Sequence, residues 1–338
     1  KRSVAATTAF AQSIAIGSGA RTWGSDAISM GTYSNAGAGS ISLGYSADSS
    51  QANTIAIGNN AYSGVEAVQI GSSSVGAQGG FRGAFRRGTT LIGTEAASQS
   101  LYSTIIGNHS QLLANQNAKS GGFFGLGQFA AQGAFSSALG AYNTIGNNTS
   151  TNAYNSVAVT VVGSANDVQD SNGVFVNGYG NTVKNSYKGQ IDLTGIGDVN
   201  SSSIATLVKN PNTQLGQVGV IGAGNTVDGA NNSFLVGMRS TMTTADKVSA
   251  QGFNLNVSNA TNTFLAGADN TVANTSNVFA AGSNSSINKA SNVLALGNNQ
   301  VIGSASTTAT NSILLGDRIQ FANTANAADA IAVGGDAK

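Results

Sequence analysis

The 338-residue sequence has no cysteine, one proline, one histidine and one tryptophan, and only 9% of its residues are charged. Each shortage removes a class of protein. Without cysteine there is neither a disulfide framework nor a thiolate metal site, so stability must come from backbone pairing and burial. Fifteen basic residues against fourteen acidic ones leave a formal charge of +1, which lacks the electrostatic footprint of a nucleic-acid binder. No segment approaches the run of about 18 apolar residues that a membrane-spanning helix needs. Lys1-Arg2-Ser3 is not followed by a signal-peptide core and cleavage site, so the expectation is a cytosolic chain or a processed piece of a longer fibrous molecule. Disorder does not fit either, because 41% of the residues are hydrophobic and the net charge is small. Scarce proline, and glycine that does not recur every third residue, exclude collagen.

Glycine is abundant, at 45 residues, and it is periodic. It returns every fifteen residues at Gly222, Gly237, Gly252, Gly267, Gly282 and Gly297. Near the N-terminus the step alternates between fourteen and thirteen, at Gly17, Gly31, Gly44, Gly58 and Gly71. So short a repeat cannot bury a core by itself, which predicts one coil of a β-solenoid whose neighbours supply the burial. The glycine ends a short strand and forms the corner, since it reaches positive φ and admits close approach of the next coil. A second strand follows, with an apolar residue five places after the glycine, as at Val227, Val272 and Ile287. Five places before it stands a polar residue, Asn232, Asn262, Asn277, Asn292 or Asn311, and stacking predicts that these form an amide ladder.

In the first strand small residues alternate with aliphatic ones. The expectation is that Ile14, Ile16, Ile55 and Ile57 fill the tube while Ala15, Ser42 and Ala56 form a flat outer face. An outer face that small and uncharged would invite copies of the chain to pack on it, predicting an obligate oligomer with three tubes about one axis as the simplest closed arrangement. The organisation reads as residues 1–71 of N-terminal repeats, 72–221 of repeats with inserted loops, and 222–338 of regular fifteen-residue repeats, all in one continuous domain.

Insertions break the rhythm between Gly71 and Gly93, Gly107 and Gly140, Gly178 and Gly222, and Gly297 and Gly316. Solenoids accommodate extra residues as loops from one edge, where function tends to sit. The first insertion carries Phe81, Arg82, Phe85, Arg86 and Arg87; the second carries Phe123, Phe124, Leu126 and Phe129. Aromatic and arginine side chains dominate interface hot spots, so these nine residues are the candidate receptor-binding set. The competing reading has the phenylalanines capping the tube or filling a three-fold axis.

No enzyme motif is present, and no cofactor or metal is expected. His109 reads as a structural or solvated turn residue without a charged neighbour. The glycine pairs lack the helix and Lys-Ser/Thr of a phosphate cradle. Asp167, Asp170, Asp192 and Asp198 lack the calcium β-roll repeat. An ice- or carbohydrate-binding solenoid would be expected to show regular Thr-x-Thr rows or an exposed carboxylate pair, and neither is found.

The blocks Ser13-Ile-Ala-Ile-Gly-Ser-Gly-Ala20 and Thr54-Ile-Ala-Ile-Gly-Asn-Asn-Ala61 resemble the head repeats of trimeric autotransporter adhesins of the YadA-like type. The likeness is strong in the N-terminal third and weaker over nearly all the remainder. It implies a left-handed parallel β-roll assembled as a homotrimer at the tip of a bacterial outer-membrane fibre. It also implies binding to a host partner such as collagen, fibronectin, laminin or a carcinoembryonic-antigen-related cell adhesion molecule. The alternative is a structural spacer whose fibre carries its binding site elsewhere. No neck, stalk or membrane anchor is evident in the sequence.

Overall fold

The computed structural model describes residues 7–8, 10–73, 84, 87–98, 100, 102–113, 135–146, 156–187, 206, 208–210, 216–304, 306, 308–321 and 327–336. The architecture is all-β, a parallel solenoid with coils of about fifteen residues, as the glycine spacing predicts. The chain divides into two compact units, Lys1–Asn172 with Gln190–Gln214 and Gly173–Gly189 with Leu215–Lys338.

In the first unit the first strands stack in register: Ile14 on Ile28, Ile28 on Ile41, Ile41 on Ile55, Ile55 on Val68, Val68 on Thr90. The stack continues through Thr104, Ser137 and Thr160. Each strand is about three residues long, bounded at both ends by corners. Facing it across the tube is a second wall, whose strands stack Arg21 on Asn35 on Asp48, and farther along Gln111 on Thr144 on Asp167.

The two faces of the first strand are the reverse of the expectation. Ser29, Ser42 and Ala56 are buried completely, whereas Ile14 and Ile16 stand 47% and 54% exposed. Ile55 and Ile57 also lie on the outer side. The reason is geometric. A three-residue strand held between two inward-turning corners sends only its middle side chain inside, and two walls this close accept only small groups there. The lumen pairs Ser29 with Ala36 and Ser42 with Ser49, all buried; Ser29 and Ser34 hydroxyls meet at 2.7 Å. Farther along, the inner residues grow to Leu91, Ile105 and Leu112, Ile145, Val161 and Val168. Gln69 bridges the two regimes, its buried amide donating to Ser73 Oγ at 2.8 Å and accepting the Ala84 N–H at 2.9 Å.

The second unit has three corners per coil. Its first strands stack Phe234, Ser249, Phe264, Phe279, Leu294, Ile313 and Ile331. The core between the walls holds Leu235, Leu265 and Leu314 from the first wall, Val227, Met242, Val257, Val272, Ile287 and Ile302 from the second, and Ala245, Ala260 and Ala290 beside the third. Val227, Val272 and Ile287 are the apolar positions the sequence assigns to the second strand.

Ten of the eleven predicted corner glycines have φ between 128° and 149°, and Gly237 alone lies outside that range. At Gly267 a Cβ would come within 1.7 Å of the Gly282 carbonyl oxygen, so the site excludes any side chain for reasons of space as well as φ. The corners next to these glycines hold asparagine in the left-handed region, for example Asn262, Asn277 and Asn292 with φ of 47°, 55° and 56°, a conformation Asn tolerates better than most residues. Their amides form the expected exposed ladder: Asn262 donates to Asn277 at 3.0 Å, Asn277 to Asn292 at 2.9 Å, and Asn292 to Asn311 at 2.9 Å. Asn232 instead donates to Asp246.

A second, buried set of amides was not foreseen. Asn270, three residues after Gly267, donates to the Gly282 carbonyl at 2.7 Å and accepts the Ser285 N–H at 2.9 Å. Asn225 does the same for Gly237 and Ser240, and Asn143 for Gly163 and Asn166. These clamps satisfy corner groups that the strand ladder leaves unpaired.

Two predictions follow from the walls and clamps. Ala56→Leu should destabilise by about 1–3 kcal/mol through overpacking, measured by urea or thermal unfolding; no change would return Ala56 to the outer face. Asn270→Ala strands the buried Ser285 N–H and removes the donor to the part-buried Gly282 carbonyl, and it should cost about 1–3 kcal/mol. Asn277→Gly, which keeps the left-handed corner unstrained, should cost less than about 1 kcal/mol.

Candidate functional site

Two surfaces stand out. The first is the outer side of the first-strand wall. In the first unit one column runs Ile16, Met30, Leu43, Ile57, Ile70, Ile92, Ile106, Leu139 and Val162 without a polar interruption. The column beside it changes from aliphatic to hydroxyl residues at Thr90. In the second unit the bulky residues occupy the column of Phe234, Phe264, Phe279, Leu294 and Ile313, where the Phe264 and Phe279 rings stack at 4.7 Å and 15°. The coil of Ser249 and Gln251 interrupts this second stretch with polar residues, but the first-unit column of half-exposed aliphatics is the type of apolar patch that a soluble monomer rarely leaves open.

The second surface lies on the other wall of the first unit. Arg21, Asn35, Asp48 and Tyr62 form an outward column. Beside Arg21 stands Trp23, 55% exposed, with the Arg21 guanidinium 6.0 Å from its ring centroid. On the rungs below Trp23 are Gly37 and Ser50, so the indole borders bare backbone. On the opposite border are Tyr33 and Tyr45, both about half exposed, with rings 6.3 Å apart and nearly perpendicular. Tyr33 adopts φ 61°, and its ring covers Gly19 so closely that a Cβ there would collide with it. A tyrosine in the left-handed region is held against its preference.

Sequence reasoning missed this cluster because its members come in short pairs on three successive coils, Arg21 with Trp23, Tyr33 with Asn35 and Tyr45 with Asp48, and the pairs meet only through stacking. The available signal was the sole tryptophan two places after an arginine, followed one and two coils later by tyrosines just past a repeat glycine.

Of the nine predicted receptor-binding residues, Phe81, Arg82, Phe85, Arg86, Phe123, Phe124, Leu126 and Phe129 lie outside the described residues. Arg87 is described, and it bonds Glu66 across coils at 3.1 Å in a partly exposed ion pair. Next to the second insertion, Phe135 stacks on Tyr102 at 5.8 Å, and Tyr102 covers Gly88. His109 corrects the sequence reading that it lacks a charged neighbour. Its Nδ1 meets a Glu95 carboxylate oxygen, and its ring stacks on Tyr142 at 4.8 Å. One coil separates each of these residues in space, although the chain distance is 14 or 33 residues. Asp167 and Asp170 are close in sequence on one wall, but among the described residues no group of three or more His, Asp or Glu gathers as metal ligands; Asp192 and Asp198 lie outside the described residues.

Tyr62 has its hydroxyl pKa raised, first by burial and second by the nearby Asp48 carboxylate. The folded state therefore holds this proton longer than the unfolded chain, so stability is fully present below about pH 10 and declines as pH rises through the folded value. Absorbance titration should show a tyrosine component above the usual tyrosine value, and Tyr62→Phe should delete it. Retention of that component in the variant would reassign it.

No protein-family model matches the chain, and no curated protein sequence matches it.

Proposed function

We propose that the chain is the non-enzymatic head of a trimeric surface adhesin of the YadA-like type, a left-handed β-roll that displays host-binding surfaces on a bacterial outer membrane. The observation that carries this reading is the apolar outer wall, uninterrupted from Ile16 to Val162 in the first unit and resumed in the second by Phe264, Phe279, Leu294 and Ile313. It takes over the self-association role that the sequence reading gave to the Ala and Ser residues, which are internal. Covering even one half-exposed aliphatic per coil contributes on the order of 1 kcal/mol, and the repetition makes the sum large.

Three tubes about one axis are the simplest closed packing in which each presents a single inner wall. Each protomer offers one apolar wall, and parallel walls facing a common axis bring one corner edge of a protomer against the opposite edge of the next, a heterologous contact that closes as a ring. Three attached copies would give weak host contacts avidity. The inserted segments at residues 79–88 and 121–129 remain candidates for host contact under this reading, with collagen, fibronectin, laminin or an epithelial adhesion receptor as the partner. A spacer role predicts unchanged attachment when both are deleted.

The assembly is testable because the chain has no cysteine of its own. Asn277 and Asn284 sit on opposite edges of one wall, about 20 Å apart along the strand, too far for an internal bridge. Asn277→Cys combined with Asn284→Cys should yield a covalent trimer with a short bismaleimide, while either single variant yields none. Ile16→Asp with Ile57→Asp should reduce light-scattering mass to that of one chain. A wild-type chain that is monomeric at micromolar concentration would refute the assembly.

A further inference from the structure

The polar strip and Trp23 of the shelf lie on the second wall, and Tyr33 and Tyr45 stand at the corner that joins it to the first. We propose that this shelf is a binding site for a short neutral oligosaccharide. This deepens the adhesive reading by naming a partner class, and its test reads the shelf directly, so the two can fail separately.

The chemistry of the shelf selects the ligand. At its centre are a guanidinium, a carboxamide and a carboxylate, from Arg21, Asn35 and Asp48, stacked on three successive coils. Such groups match the vicinal hydroxyls of a sugar, which donate and accept at neighbouring positions. Asp48 is held in place, because its Oδ1 accepts the Ser50 N–H at 2.9 Å, and Asn35 leans on the Tyr33 carbonyl at 3.4 Å. Aromatic rings border the polar strip on two sides, as required to cover the C–H faces of a pyranose.

Dimensions agree with an oligosaccharide of a few units. Trp23 and the Tyr33 edge are separated by about four strand positions, roughly 13 Å, and three coils span about 10 Å. Arg21 and Asp48 oppose each other in sign, so no excess charge favours an ionic partner. Protein hot spots centre on anchors seated in apolar pockets. Here the rungs beside Trp23 carry glycine and serine, and the aliphatic residues face away on the first-strand wall. The sequence expectation for a sugar-binding solenoid was a carboxylate pair or a threonine row; the shelf instead uses aromatic borders with mixed polar groups, a binding rather than a hydrolytic arrangement.

Trp23 is the only tryptophan in the chain, so its fluorescence reports on the shelf without labelling. The whole chain is titrated with lactose, chitotriose, lacto-N-tetraose and sialyllactose, with a collagen-like proline-rich peptide as the comparator. At least one neutral sugar should shift the emission saturably, and Arg21→Gln or Asp48→Asn should weaken that binding by at least about tenfold with unchanged circular dichroism. Tyr45→Ser should weaken it as well; calorimetry confirms the loss in Trp23→Ala, which lacks the reporter. The proposal is overturned if none of the neutral sugars shifts the emission, if the shift survives Arg21→Gln and Asp48→Asn together, or if only sialyllactose or the peptide binds. Binding of sialyllactose alone would assign the shelf to an anionic glycan, and binding of the peptide alone would assign it to a protein partner.

Discussion

The narrowness of the coil governs this protein. Two walls joined by corners every few residues leave room for one inward side chain per short strand, and that side chain has to be small where the walls are closest. Ser29, Ser42 and Ala56 satisfy the limit. The bulky members of the same strands, Ile14 and Ile16 among them, are displaced outward. In those first coils the interior is therefore modest in hydrophobic content, and much of their apolar surface is presented to the outside, whereas farther along Leu91, Ile105 and Leu112 and, in the second unit, Leu235, Met242 and Leu265 fill the core.

The second requirement is set by the corners. Every coil reverses direction within a few residues, and the backbone groups at each reversal have no strand partner in their own coil. The chain answers with two layers of amides. The exposed asparagines tolerate the left-handed backbone and bond to their counterparts above and below, as Asn277 does with Asn262 and Asn292. The buried ones, such as Asn270, hold the glycine carbonyl of the next coil. Glycine and asparagine are thus complementary. One permits coils to approach, and the other satisfies the polar groups that the approach encloses.

The period, the parallel stacking and the outer amide ladder were legible in the sequence because each depends on spacing alone. The inner and outer faces of the first strand were not, because alternation fixes two faces without saying which is inside. Lumen width decides that, and it is a property of the closed coil. The buried clamps escaped for a related reason: asparagine at Asn225 or Asn270 reads as turn chemistry until the adjacent coil is in place. The shelf around Trp23 assembles residues from three coils, and the Glu95, His109 and Tyr142 cluster likewise joins three coils. Stacking converts residues one repeat apart into neighbours, and a linear reading weighs them separately.

The parallel register has a mechanical corollary. Within each unit the strand hydrogen bonds point from coil to coil, so tension applied along the stacking direction acts on successive rings in series. Rupture of one ring relieves the load on those beyond it. Such a structure gives way in short, repeated extensions, dissipating a pull gradually where a sandwich of sheared strands would resist and then fail at once.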